Sequence, residues 1–466
     1  MGRLTSLPSA VVTDDSALGG AILEKSLRFS ESAGNEYLSR TPSSASNQKT
    51  YTFSCWYRRS RTTYSLANVL EQKNNGQNYA VLYFQPDDKL NFHGYTSTGG
   101  NQYTHRLVTT QVFRDANSWF HIVVAVDTTQ STADDRVKIY VNGSQITNFD
   151  VRVNPSQNFD TFFNSTQLLT IGRGQAGSAQ CYDGYMAEIN FVDGFQLTPS
   201  SFGFTEFQTG IWKPKGYFGS YGTNGFRLDF SDNSGTTAVT LGKDRSGQGN
   251  DYTPNNFLVS AGVSNDSLID TPTNTFCTLN TLTKDSNTTL SDGNLQAAGS
   301  AGNAYNTNTQ GTFAESTGKW YYEVEFTSGA GLSAVGWCRT TLRPTDNPTT
   351  GGGIVYRPAN GDYLDLAGNN PTTPPATSSG AGQIVQVAID FDAGKIWFGS
   401  GGTYFNSGDP SAGTNAGMTF TGGTELLTPA VRTLGCTFKF NFGQRAFSYA
   451  LPTDFKSLCS NNVPIN

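Results

Sequence analysis

RVKIYVNGSQI, residues 136–146, decides the fold class. Val137, Ile139 and Val141 alternate with Lys138 and Tyr140, so one face of an extended segment is apolar and the other wet. Asn142-Gly143 then supplies the two positive-φ positions of a type I′ turn, the connection that joins two antiparallel strands with matching twist. The same period of two runs through YTFSCWY (51–57), which puts Phe53, Cys55 and Tyr57 on one face and Ser54 and Trp56 on the other, and through HIVVAVD (121–127), where Ile122, Val124 and Val126 share a face. No stretch sustains the i, i+3, i+4, i+7 apolar stripe of a surface helix, because Gly, Pro, Asn, Thr and Ser interrupt every candidate. The fold is therefore expected to be all-β.

Length and composition bound the rest. A chain of 466 residues exceeds what one apolar core serves, so at least two domains are expected. Only 15% of residues are charged, against 51 glycines, 31 phenylalanines and 21 tyrosines, a balance that suits turn-rich sandwiches. The net charge is −6 and the cations are scattered, which argues against a nucleic-acid partner. Neither a signal-peptide core nor about 18 consecutive apolar residues is visible, so neither secretion by a visible signal nor membrane insertion is expected. Cys55, Cys181, Cys277, Cys338, Cys436 and Cys459 are widely spaced without CxxC pairs, as expected of buried free thiols.

Organisation follows the alternation. Residues 1–25 read as an N-terminal docking segment and 26–208 as a first sandwich. Residues 209–310 turn polar and glycine-rich and read as a long ordered connector with short strands. From 311 to 466 alternation returns in KWYYEVEF, SAVGWC, QIVQVAIDF and CTFKFNFG; Val385, Val387 and Ile389 share a face, and Asp392–Lys395 turns a hairpin. The expected architecture is two β-sandwich, jelly-roll-like domains joined by that glycine-rich connector.

Residues 20–205 resemble the laminin-G/concanavalin A-like group, on SLRFSESAGNEYLS, TFSCWYRRS, the run from Trp119 to Ile146, and LTIGRGQAGSAQCYDGYMAEINFVDGFQLTPSSF taken together. Residues 311–450 resemble a SPRY domain, on Gly318–Val324, Val335-Gly336-Trp337, Gln383–Trp397, Leu427–Ala430 and Asn441–Gln444. GTNGFRLDFSDNS, LGKDRSGQGNDYTPNNF, DSLIDTPTNTFCTLN and the ending ALPTDFKSLCSNNVPIN are similar to segments of virion proteins of tailed bacteriophages that join the same two modules. The resemblance implies a non-enzymatic virion protein (tail fibre, spike or head decoration). Its implied partners are other virion proteins, copies of itself in a homo-oligomer such as a trimer, and host-surface glycan or protein. A bacterial adhesin is a further reading, disfavoured by the missing signal and anchor.

The concanavalin A-like fold also hosts glucanases, so a glycan-degrading depolymerase is the alternative. That chemistry needs two carboxylates about 5 Å apart, or about 6.5–9.5 Å for inversion. Glu323 and Glu325 alternate suitably but read as a solvent-facing pair, and Glu188 and Asp193, five apart, point to opposite faces. His93, His105 and His121 have no G-x-S-x-G partner, so no catalytic residue is assigned. The glycine runs 172–180 and 350–356 lack the Lys-Ser/Thr of a phosphate loop. No cofactor is expected. Asp134, Asp135 and Asp183 have the chemistry of a structural rim Ca²⁺ site, yet without a D-x-D-x-D loop a solvated acidic turn is the stronger reading. Tyr95, Tyr103, Tyr363 and Tyr404, in turn-rich segments, are the ligand-contact candidates, because an aromatic face matches the C–H face of a sugar.

Overall fold

The computed structural model describes residues 20–30, 35–62, 66–74, 78–100, 102–175, 180–300, 307–328, 332–369, 378–423 and 425–463. Among them there is no α-helix; strands, turns and short 3₁₀ turns account for the fold. The chain divides into two units, the first comprising residues 1–259 and 266–273, the second 260–265 and 274–466.

The first unit is a sandwich of two antiparallel sheets. One runs in the order Ser144–Gln145, Val137–Val141, Phe120–Asp127, Thr50–Arg59, Gly184–Asp193, Ser26–Phe29, Ser267–Leu268, with Phe226–Leu228 also on Gly184–Asp193. The other runs Phe149–Val153, Gln102–Val112, Lys89–Thr96, Asn78–Phe84, Ala67–Asn74, Leu169–Ile171, Tyr37–Arg40, Thr253–Asn255. The inward faces interdigitate: Phe53, Cys55, Tyr57, Ile122, Val124 and Val126 from the first sheet meet Leu70, Leu82, Phe84, Phe92 and Leu107 from the second. The decisive hairpin forms as its sequence requires, with Asn142 at φ 46° and Gly143 at φ 81°.

The second unit repeats the plan. Leu279–Lys284, Thr309–Gly311, Leu427–Arg432, Ala334–Arg339, Gly353–Arg357 and Asp362–Leu364 form one sheet. Thr288–Ser291, Gln296–Gly299, Thr437–Asn441, Lys319–Ser328, Gln383–Asp390, Lys395–Ser400 and Thr403–Tyr404 form the spine of the other. Val385, Val387 and Ile389 pack with Val335, Trp337, Ile354 and Val431 between them.

The polar stretch 209–310 is distributed over both units. Trp212–Pro214, Phe226–Leu228, Thr253–Asn255 and Ser267–Leu268 are strands of the first, and Leu279–Lys284, Thr288–Ser291, Gln296–Gly299 and Thr309–Gly311 are strands of the second. Buried charge pairs explain how so polar a segment is held: Arg28 Nε donates to Asp266 at 3.0 Å, and Arg58 pairs with Asp270, both side chains being at most 1% exposed. Of the 1–25 segment, residues 1–19 lie outside the described residues. The remainder packs on the first unit, where the Ala21 N–H donates to the Pro214 carbonyl at 3.1 Å and Leu23 is buried beside Trp56 and Ala187. All six cysteines are free and buried.

Candidate functional site

The second sheet of the first unit sends Ala80, Leu82, Phe84, Leu90 and Phe92 into the core. By strict alternation Tyr79, Val81 and Tyr83, and on the next strand Asn91, His93 and Tyr95, lie on its outward face. Register then assembles rows across strands. Lys73 pairs with Tyr79, Tyr79 with Tyr95, and Tyr95 with Tyr103. In the adjacent row Glu71 pairs with Val81, Val81 with His93, and His93 with Arg106.

A register shift at Gly94/Tyr95 is what aligns the tyrosines, since Gly94 pairs with His105 while Tyr95 skips Thr104 to face Tyr103. Only glycine fits at the shift: a Cβ on Gly94 would lie 2.5 Å from the His105 ring and 2.5 Å from the Thr104 hydroxyl.

The result is an aromatic platform. Tyr79 and Tyr95 stack with centroids 5.4 Å apart, and Tyr95 meets Tyr103 edge-on at 5.7 Å. His93 sits among them, 5.5 Å from Tyr79, 5.5 Å from Tyr83 and 5.1 Å from Tyr103. Cations cap both ends: the Arg106 guanidinium lies 4.7 Å over Tyr103 and the Lys73 ammonium 5.8 Å over Tyr79. Tyr103 is 43% exposed, whereas His93 is only 5% exposed.

The hydrogen-bond inventory of the platform is incomplete. Asn91 Nδ2 donates to the Tyr83 hydroxyl at 2.9 Å, which leaves Asn91 Oδ1 to accept from His93 Nδ1 at 3.3 Å. His93 Nε2 is then a bare acceptor, and both it and Arg106 Nε are buried without a hydrogen-bond partner among the described residues. Burial, reinforced by the Arg106 charge, holds the imidazole neutral, with its pKa down at about 4. Burial likewise pushes the Tyr79 phenol up to about 12 and raises the Glu71 carboxyl, which accepts from Asn68 Nδ2 at 2.7 Å.

Of the four tyrosines expected to contact ligand, the platform brings together Tyr95 and Tyr103. Tyr363 is a core residue instead: it is 0% exposed and stacked on Phe398 at 5.6 Å, because pairing with Tyr356 turns its ring inward. Tyr404 is half-buried and packs beside Tyr321, Trp397 and Phe455, its hydroxyl buried without a partner among the described residues. Tyr79, Tyr83 and Arg106 are not among the residues the sequence singles out, and His93 enters there only as a histidine without a nucleophile; the alternation in NYAVLYF is the signal available for the two tyrosines.

The acidic candidates are engaged elsewhere. Asp134 binds Arg152 at 3.0 Å and Asp135 binds Lys138 at 3.0 Å, in a 3₁₀ turn, while Asp183 precedes the strand Gly184–Asp193. No cluster of three potential metal-ligating side chains occurs among the described residues. Glu188 is clamped bidentately by Arg227, at 2.6 and 3.1 Å, and Asp193 accepts from Asn164 Nδ2 at 3.1 Å and the Asn224 N–H at 3.0 Å. Glu323 is not solvent-facing: it is 1% exposed and accepts from the Tyr321 hydroxyl at 2.9 Å and from the Ser448 and Tyr449 N–H groups at 2.8 and 2.9 Å. The segment after Ala446 lies over that sheet face and brings donors that need an acceptor.

Two histidines lie next to a hydroxyl: His105 Nδ1 is 3.3 Å from Thr104 Oγ1, and His121 Nε2 is 2.8 Å from Ser54 Oγ. Trp212 Nε1–H donates to His121 Nδ1 at 3.1 Å, so the imidazole proton resides on Nε2 and is donated to serine. In that tautomer the ring cannot act as a base toward Ser54, and burial holds its pKa at about 3. A cavity of about 320 Å³ is lined in part by Tyr217, Phe218, Arg227 and Arg245, but both cations there already face carboxylates, Arg227 that of Glu188 and Arg245 that of Asp229.

The geometry thus defines two antiparallel sandwiches, one of them with an aromatic sheet face whose donors and acceptors are only partly used. Residues 32–200 match the family described as "Concanavalin A-like lectin/glucanases superfamily" (Laminin_G_3), and residues 319–445 match the SPRY domain family. The chain therefore carries one domain of each family, joined in that order.

Among solved structures, the SPRY domain of human HERC1 is similar at 16% identity, covering 36% of this chain and 99% of that one, with TM-score 0.29. The native heptameric SAP-like pentraxin from Limulus polyphemus is similar at 14% identity, covering 39% and 80%, with TM-score 0.29. The TRIM65 PSpry domain is similar at 16% identity, covering 36% and 92%, with TM-score 0.28. Comparison with curated proteins gives no match.

Proposed function

We propose that this chain is a non-enzymatic binding protein whose first domain holds glycan on the tyrosine platform and whose second domain contacts protein. The observation that carries the reading is the outward tyrosine row, in which Tyr103 is 43% exposed and carries the Arg106 guanidinium 4.7 Å over its ring. The exposed part of that row offers apolar contact to the C–H face of a sugar, and the guanidinium beside it offers charge and hydrogen-bond donors to sugar hydroxyls. The carboxylates a hydrolase would need are committed to internal partners, Glu188 to Arg227 and Glu323 to Tyr321 and backbone N–H groups.

The similarity of 222–234, 241–257, 266–280 and 450–466 to phage virion segments supports a place on a tailed-phage particle, on tail or head. There the chain would act as a homo-oligomer docked to other virion proteins, with no cofactor and no nucleic-acid or membrane partner. Many weak platforms engaging at once would then supply avidity. Incubating the purified chain with host polysaccharide and assaying reducing ends tests the first part: binding without new reducing ends is expected, and sustained release overturns it. Antibody labelling of intact particles tests the second, and unlabelled particles overturn it.

A further inference from the structure

We infer that the first unit associates with a second copy of this chain through a knob-and-hole contact, in which Phe207 of one copy enters the cavity beside Tyr217 and Phe218 of the other. The inference rests on the homo-oligomer part of the reading above, not on its glycan part, and gives that oligomer a surface.

The knob is apolar, exposed and braced. Gly203–Thr205 pairs with Trp212–Pro214 in a hairpin whose base is anchored by Trp212, packed against Leu23, Trp56 and Ala187. Two backbone bonds of 2.8 Å close the tip, from the Glu206 N–H to the Ile211 carbonyl and from the Gly210 N–H to the Glu206 carbonyl, with Gly210 at φ 69°. The Glu206 carboxylate ties it further by accepting from Thr209 and Lys213. On this tip Phe207 is 97% exposed, the most exposed large apolar side chain among the described residues. Phe218, 90% exposed, and the exposed Ile22 share the corner, because the Ala21 N–H bonds the Pro214 carbonyl and Gly20 pairs with Lys215. A held cluster of exposed apolar side chains marks a place where another molecule sits.

The hole suits an aromatic ring. It holds about 320 Å³, where about 150 Å³ suffices for a benzene ring. Tyr217 walls it, fixed by Phe202 at 5.3 Å, by an edge-on contact with Tyr221 at 5.0 Å and by donating to the Ser220 carbonyl at 3.0 Å. A Cβ on Gly219 would lie 2.4 Å from the Tyr217 hydroxyl, so glycine there keeps the wall in place. Arg227 and Arg245 also line the cavity. Their charges are met by Glu188 and Asp229, so an anion gains little, whereas the face of a ring is a favourable neighbour for either guanidinium.

The chain itself supplies the ring. A copy cannot fill its own cavity, because Trp212–Pro214 carries the tip about 17 Å from Gly216 at about 3.3 Å per residue. Residues 1–19, which lead into Gly20 at the cavity's edge, contain no Phe, Tyr or Trp. A second copy brings both a Phe207 and a cavity, so every chain carries both halves of the contact. Two aromatic side chains per copy, each burying about 150–250 Å², give about 600–1,000 Å² across a reciprocal pair, the size of a weak, reversible interface. Such contacts become firm when copies are already held side by side.

Sedimentation velocity of the full chain over a concentration series tests the contact, with Phe207→Glu and Phe218→Glu as variants and a thermal melt of each to confirm folding. Self-association is expected, weakened at least about tenfold in either variant. An equimolar mixture of the two variants should regain part of it, since the knob of one still meets the hole of the other. Association that neither variant weakens, or that mixing leaves at the level of the separate variants, overturns the inference and leaves the homo-oligomer standing. A chain that is monomeric at every concentration overturns both. Faster hydrogen exchange in residues 1–19 of Phe218→Glu would show the cavity filled by the chain's own N-terminus, and that result also overturns the inference.

Discussion

Replacing Asp270 by alanine should destabilise the first unit by about 3–5 kcal/mol, because it strands a buried guanidinium. Asp270 and Arg58 have side chains 0% and 1% exposed, and the carboxylate additionally accepts from Trp119 Nε1 at 3.1 Å. The lost energy comes mainly from the uncompensated Arg58 charge, with about 1 kcal/mol from the orphaned indole donor. Against a typical domain stability of about 5–15 kcal/mol the loss is a large fraction, equivalent to about 6–20 °C in Tm. Removing both charges with Arg58→Met and Asp270→Leu should restore most of it, since what costs is one charge without the other.

Hydrogen exchange followed by mass spectrometry separates the units. Peptides from Thr50–Arg59 and Gly184–Asp193 should lose protection by the stated amount, and those from Gln383–Asp390 should not change. A loss below about 1 kcal/mol in Asp270→Ala, or a double variant as damaged as the single one, would refute the reasoning.

His121 provides a pH test. Its native pKa of about 3 lies below the unfolded value of about 6.5, so unfolding takes up a proton and stability is full above that pH and lost as pH falls. The stability difference between the parent chain and His121→Gln should shrink by about 2 kcal/mol between pH 7 and pH 5 in denaturant titrations; a pH-independent difference contradicts a neutral native ring. In the second unit, Glu323→Ala strands the Ser448 and Tyr449 N–H donors and the Tyr321 hydroxyl, and should cost about 2–4 kcal/mol with faster exchange at 447–449, whereas Glu323→Gln keeps one acceptor and costs less. An Ala variant within about 0.5 kcal/mol of the parent contradicts the anchoring role.

What could be read from residues alone was whatever local chemistry determines. Alternation in YTFSCWY and HIVVAVD fixed which side chains enter the core, since a one-residue slip would bury Ser54 in place of Phe53. Asn142-Gly143 fixed a turn because both residues accept positive φ. Long-range partners were hidden. Tyr363, after the turn-forming Asn360-Gly361, looks like a rim residue, and only its pairing with Tyr356 reveals that it is inside.

Glu323 looks wet because the segment that covers it lies 125 residues later. The stretch 209–310 looks like a connector because its polarity is neutralised by Arg28 and Arg58, far upstream. The platform was half visible: Tyr95 and Tyr103 stood out as aromatics in turn-rich sequence, but the shift at Gly94 that aligns them with Tyr79 depends on how two strands pair.

The central claim is that the tyrosine row is where this protein meets its ligand. The most direct measurement is calorimetric titration of the intact chain with host-surface polysaccharide, repeated with Tyr79→Ala and Tyr95→Ala. Each alanine should weaken binding by at least about 1 kcal/mol, with the melt of each variant showing that it is folded at the titration temperature. Affinity unchanged in both variants would mean that ligand binds elsewhere and would contradict the claim.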